Sequence, residues 1–270
     1  MPETLDAGAE SRKVRPMSEH KTEPGKQPGL PEVDVKEYGG KKDGVAQSLD
    51  ERLFMELLVF GARDGADAST HVGKLGAVLE ARGVGAVVYE DAQDPRGVAV
   101  LTWSKDPAHF VRDVRSALND PSLSELVLKP EYTMLGRTYS IGYEPDLEHW
   151  LLRRSIDVVL DPASEWAVWY PLRRSGAFAK LPDHEQGMIL KEHGAIGRAY
   201  GAQGLAHDVR LACFGIDKND NDFVIGLIGK ELHPLSHVVQ SMRRTRQTSE
   251  LITQMGPFFV GHAAWRSRGR

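Results

Sequence analysis

The sequence has one cysteine, Cys213, among its 270 residues. Within one chain this excludes a disulfide framework and a zinc site built from several thiolates, and it fits a reducing compartment. No run of about 18 apolar residues occurs, so no membrane span is expected. Positive charge is not in excess: the net charge is −4, which implies no general attraction to nucleic acid. No serine or cysteine stands in a nucleophile motif. The stretch MPETLDAGAESRKVRP at the start has no apolar segment of the secretory kind, so a cytoplasmic location is expected.

The remaining composition, 41% hydrophobic and 27% charged, is that of a globular protein. The length suits two domains of about 100 to 150 residues each. Residues 1–48 are rich in Glu, Lys, Gly and Pro and almost lack aromatics. Such a segment buries too little apolar surface to offset its ordering entropy and is expected to be a disordered extension.

Beyond it the pattern is regular. RLFMELLVFGA (52–62) reads as a buried strand. STHVGKLGAVLEARG (69–83) has helical spacing, with Ser69 or Thr70 as cap and Gly83 as stop. GAVVYEDA (85–92) and GVAVLTWS (97–104) are strands, DPAHFVRDVRSALND (106–120) a helix, and SELVLKPEYTMLG (124–136) a strand. EPDLEHWLL (144–152) is a linking helix. The second half repeats the order: strand 164–174, helix 182–200, strands 208–217 and 222–230, helix 233–252 and strand 257–265. This predicts an α+β protein of two tandem ferredoxin-like (βαββαβ) domains, at 49–143 and 164–270, joined by a linker at 144–163. Fold class of this kind does not itself fix function.

His193 shares a helical stripe with Ile189, Ile196 and Tyr200. That local pattern describes a packed core histidine more often than a ligand. The glycines of GAIGRAYGAQG after it let the chain turn closely around something, and no other motif competes. His233 and His237 have the i, i+4 spacing of a metal pair, but no third ligand follows in sequence, which favours solvated or capping roles. Cys213 reads as a small buried hydrophobe. The aspartates of the KNDND turn read as hairpin chemistry, the turn being too short for a calcium loop. In WYPLRR (169–174), Pro171 marks an edge or a bulge. Tyr170 then reads either as a packed strand-end aromatic or as a redox tyrosine with cationic neighbours.

Taken together, WYP (169–171), LPDHEQGMILKEHGAIGRAY (181–200), FGID (214–217), DFVIGLI (222–228), MRRTRQTS (242–249) and PFFVG (257–261) resemble the chlorite dismutase superfamily, which includes the coproheme decarboxylases. The resemblance covers roughly residues 165–262 well; the first half matches mainly in element order. It implies a chlorite-dismutase-like α+β barrel, homo-oligomeric rings with a pentamer as one candidate state, and haem b or iron coproporphyrin in the C-terminal domain. It implies His193 as the iron ligand, Tyr170 as the tyrosine oxidised in coproheme decarboxylation, and Arg174 as a propionate partner. The tryptophan usual beside the proximal histidine is here Phe178, and the usual glutamate acceptor is Gln247, a weaker partner for the imidazole N–H. Arg210 or Asp208, on one strand face, would stand on the distal side. Three activities follow as expectations: peroxide-dependent decarboxylation of iron coproporphyrin to haem b, chlorite decomposition to chloride and dioxygen through Arg210, or haem binding or sensing without turnover.

Overall fold

Alternation along the strands decides where a site can lie, because successive side chains point to opposite faces. The computed structural model describes residues 30, 32–63 and 65–270. From Lys36 to Arg270 the chain forms one compact unit. Its first half runs β1 (Glu37–Lys42), β2 (Val45–Leu49), β3 (Phe54–Ala62), α1 (Ala68–Ala81), β4 (Ala86–Asp91) and β5 (Val98–Ser104). A π-helical turn (Phe110–Val114) then leads into α2 (Arg115–Leu118), followed by β6 (Leu126–Leu128) and β7 (Met134–Arg137). Two short helices, α3 (Leu147–Leu152) and α4 (Arg154–Leu160), lead to the second half. That half comprises β8 (Trp166–Arg174), α5 (Gly176–Ala179), α6 (Asp183–Ala202), β9 (His207–Ala212) and β10 (Phe223–Gly229). It ends with α7 (Leu232–Met242), α8 (Arg246–Glu250), β11 (Ile252–Met255) and β12 (Phe259–Ser267).

Ten strands pair antiparallel in the order β10-β9-β7-β3-β5-β4-β12-β8-β11, with β6 on β3, and β10 also pairs with β8. The halves are therefore joined edge to edge, by β4 with β12 and by β7 with β9. One face of the sheet carries a core drawn from both halves, with Leu57, Tyr89, Leu101, Trp169, Leu211 and Phe259. A Cβ at Gly226 would sit 2.6 Å from the Trp169 ring, so only glycine fits beside that indole. The opposite face is covered by α1 in the first half and by α6 and α7 in the second.

Several expectations are corrected. Residues 37–48 of the extension expected to be disordered belong to the β1–β2 hairpin, which ends at Leu49; residues 1–29 and 31 lie outside the described residues. The hairpin is tied down by polar contacts that composition does not reveal. Gln47 Nε2 donates to Gly40 O and Glu144 O at 2.8 and 3.1 Å, and Gln47 Oε1 accepts from Leu147 N. The predicted strand 124–136 is split by a 3₁₀ turn at Pro130–Tyr132, where proline supplies no ladder donor. The helix 233–252 breaks after Met242, and Thr245 caps a separate α8. Asp67, rather than Ser69 or Thr70, caps α1. Pro171 lies on neither an edge nor an isolated bulge: β8 has β10 on one side and β12 then β11 on the other. Its carbonyl accepts from Gly256 N at the seam between those two strands. Amide and carbonyl of an antiparallel residue point to one side, so the missing N–H faces the seam and no β10 bond is lost.

Candidate functional site

On the helix-covered face of the second half, strand register sets up two lateral rows. Tyr170, Ile225 and Arg210 form one; Val168, Leu227 and Asp208 form the next. Arg174 follows on the same face of β8. The helices above bring Ile196 and Tyr200 from α6, and Leu235, Val238 and Met242 from α7, against this surface. The result is an apolar face with charged groups at its margins.

His193 is half-buried on α6, and its ring makes no hydrogen bond among the described residues; Nδ1 is sealed from solvent without a partner. Burial lowers its pKa, and Arg174 and Arg210 lower it further against the opposing Asp208 and Glu192. The imidazole is therefore neutral at pH 7, the form that can ligate a metal. On the same helix, Ile196 and Tyr200 pack against the sheet face that carries Tyr170.

Tyr170 is 6% exposed and stacks on Phe258 with centroids 4.5 Å apart. Burial raises its pKa, with Asp208 adding to the rise and Arg243 opposing it. The phenol keeps its proton at any physiological pH and makes no hydrogen bond among the described residues. Asp208 is thus felt at both His193 and Tyr170. The cation felt at Tyr170 is Arg243 at the end of α7, not the arginines that follow Tyr170 in sequence. Arg173 turns away to the carbonyls of Asn219 and Asp220.

Arg174 lies between two rings, 4.4 Å from Phe178 and 4.8 Å from Phe223, with its Nε sealed and unpaired. Burial lowers its pKa. Phe178 is buried with Ile189 and Leu251, so it packs at the base of α6 as well as on Arg174. Gln247 is 5% exposed, but its Oε1 has no partner. The expected bond from His193 is not made. The α6–α8 junction is held one residue away from both, where Glu192 accepts from Arg246 N at 3.1 Å.

Arg210 is not a free cation. Its Nε stands 3.0 Å from Asp208 Oδ2, and its guanidinium lies 5.0 Å over the Trp150 ring. Arg154, from α4, donates to Asp208 Oδ1 at 2.8 Å and to the Asp208 carbonyl at 2.7 Å, and covers Trp150 at 4.5 Å. Burial alone would raise the Asp208 pKa, but Arg210 and Arg154 outweigh it and hold the carboxylate charged. Thr138, Tyr139, Trp150, Arg154, Ser155 and Arg210 enclose a cavity of about 10 Å³, about the space of one water. Arg154 and Trp150 were not legible in the sequence. They lie 54 residues or more before their partners, and no local motif links a surface helix to a strand so far away.

Cys213 is buried and donates to Asn221 O, as a small core residue would. Asp217 Oδ1 accepts from Asn219 N and Asn221 N, the expected turn chemistry. Among the described residues, no group of three or more His, Cys, Asp or Glu could hold a metal, and no helix is long and apolar enough to cross a membrane.

Residues 93–264 match the model of the chlorite dismutase family. Among solved structures, a haem-binding protein from Thermus thermophilus is similar over 80% of this chain and 92% of its own, with 20% identity and a TM-score of 0.62. Chlorite dismutase from Candidatus Nitrospira defluvii in complex with imidazole is similar over 80% and 93%, with 12% identity and a TM-score of 0.62. A variant of the same enzyme bound to cyanide gives 80%, 92%, 12% and 0.61. At these identities the structures speak for the fold. No curated protein matches the sequence. With the family model covering well over half of its length, this chain belongs to the chlorite dismutase family.

Proposed function

We propose that the chain binds an iron porphyrin through His193 and carries out peroxide-dependent decarboxylation of iron coproporphyrin to haem b. The observation that carries this is Tyr170: a buried phenol, without a hydrogen-bond partner, on the sheet face beneath His193's helix. The residues fit the group. A neutral imidazole with an unpaired Nδ1, an apolar face and the sealed, unpaired Nε of Arg174 suit a flat apolar macrocycle bearing carboxylates. The pairing of β10 with both β8 and β9 supports reading the two halves as ferredoxin-like units closed into a barrel.

Bound iron would supply the redox chemistry with peroxide. For each side chain removed, one propionate, one hydrogen peroxide and one proton become one vinyl group, one carbon dioxide and two waters. Tyr170 Oη would give up a proton and an electron to the peroxide-derived oxidant and then take a hydrogen atom from the propionate carbon next to the ring; the carbon radical left would lose one further electron to that oxidant as its C–C bond to the departing carbon dioxide breaks. The raised pKa of Tyr170 keeps the O–H in place until the first of these steps. Arg174 holds a carboxylate, strengthened by its own partial desolvation. Tyr170→Phe is expected to bind iron coproporphyrin but release no carbon dioxide with peroxide. Unchanged haem b production in this variant would end the proposal.

A second reading, chlorite decomposition through Arg210, draws on the cation remaining on the same face as Tyr170. Its engagement with Asp208 and Trp150 weighs against a free anion clamp. Oxygen release from chlorite that Arg210→Ala abolishes would favour this reading. The unpaired Oε1 of Gln247 favours a third, haem binding without turnover, since no acceptor strengthens the imidazole. Inertness to both oxidants with retained haem binding would select it.

A further inference from the structure

On their outer side, α6 and α7 bring together a second cluster, which shares Tyr200 with this site and whose parts are far apart in sequence. Helix α7 buries Leu235 and Val238, which leaves His233 and His237, four residues apart, exposed on its outer side. Their ring centroids are 6.0 Å apart, inclined at 40°. From α6, Tyr200 Oη contacts His237 Nδ1 and lies 3.1 Å from Ser241 Oγ.

Two proton arrangements satisfy these three side chains, and one of them frees a ring nitrogen for a ligand. In that one, His237 Nδ1–H donates to Tyr200 Oη, and the tyrosine O–H donates to Ser241 Oγ. Nε2 of His237 then carries the free lone pair. A histidine whose second nitrogen is fixed by an outer hydrogen bond is the arrangement that metal-ligating histidines use. We propose that His233 and His237 bind a divalent transition-metal ion of the zinc, nickel or copper class. The two Nε2 atoms are its protein ligands, water completes the shell, and Tyr200 is the positioning residue that sets the His237 tautomer. Imidazole nitrogens suit these ions rather than calcium or magnesium. Ligand distances of about 2.0–2.1 Å bring two such rings to roughly 5 Å between centroids. The observed 6.0 Å is about 1 Å longer. The sequence shows the histidine pair but not its partner, because Tyr200 lies 37 residues earlier on another helix. Tyr200 is two turns beyond His193 on α6, so an ion here would fix the packing of α6 on α7 near that residue.

The test is calorimetric titration of the full chain, free of porphyrin, with zinc chloride and separately with copper(II) chloride. One saturable ion per chain is expected in the wild type and in His193→Ala. It should vanish in His233→Ala and His237→Ala and weaken about 10- to 100-fold in Tyr200→Phe. Circular dichroism establishes that each variant is folded, and zinc should raise the melting temperature of the wild type but not of His237→Ala. Absence of saturable binding, or a site that persists in His237→Ala, overturns the proposal. Neither result depends on porphyrin chemistry.

Discussion

Glu56 gives a sharp test of the packing described above. It lies on β3, on the face covered by α1, directly opposite Thr102, whose hydroxyl is sealed and unpaired. Burial raises the Glu56 pKa from 4.5 to about 7, with Arg115 only partly opposing it. The folded pKa thus exceeds the unfolded one, and the fold prefers the protonated acid. Stability is fullest below about pH 4.5 and declines as pH rises through 7. The gap amounts to about 3 kcal/mol once both states are ionised. Glu56→Gln keeps the shape and removes the charge. At pH 8.5 it should be more stable than the wild type by about 2–3 kcal/mol, and near pH 4.5 almost indistinguishable. In thermal unfolding of a chain this size, that difference is roughly 5–10 °C. The assay is urea and thermal denaturation of both proteins at the two pH values. A difference independent of pH, or a destabilised variant at pH 8.5, would show that Glu56 is not held protonated by burial.

Two further substitutions probe the site itself. Asp208→Asn removes the carboxylate between Arg154 and Arg210 and should cost about 1–2 kcal/mol, its side chain being partly exposed. It should also lower the His193 pKa further, because Asp208 now opposes the two arginines; an NMR pH titration of the porphyrin-free protein reads this directly. Arg174→Ala should weaken binding of iron coproporphyrin about 10- to 100-fold, the loss of one charge-assisted carboxylate contact, measured by absorbance titration, and unaltered affinity would remove Arg174 from the binding face.

The parts of this structure that sequence makes legible are those decided within about ten residues of chain. Apolar content and length marked the strand that carries Tyr170 and Arg174, and helical spacing placed His193 with Ile189, Ile196 and Tyr200 on α6. What it does not make legible depends on distant partners. The β1–β2 hairpin has too little apolar content to announce itself, yet Gln47 and Glu37 pin it to residues about 100 positions away. Arg210 reads as a distal cation until it is seen to share Asp208 with Arg154. Gln247 reads as the acceptor for His193, but a one-residue offset at the α6–α8 junction gives that contact to Arg246 and Glu192. Pro171 reads as an edge marker because the seam it faces is built by strands more than 80 residues later.

The central claim is that His193 is a ligand and not a packed core histidine. A spectroscopic titration of the purified chain with iron coproporphyrin and with haem b, for wild type and His193→Ala, tests it most directly. A Soret shift with iron coproporphyrin is expected in the wild type and should be lost in a folded His193→Ala. An equal shift in the variant, or no shift of either porphyrin with the wild type, would contradict the claim.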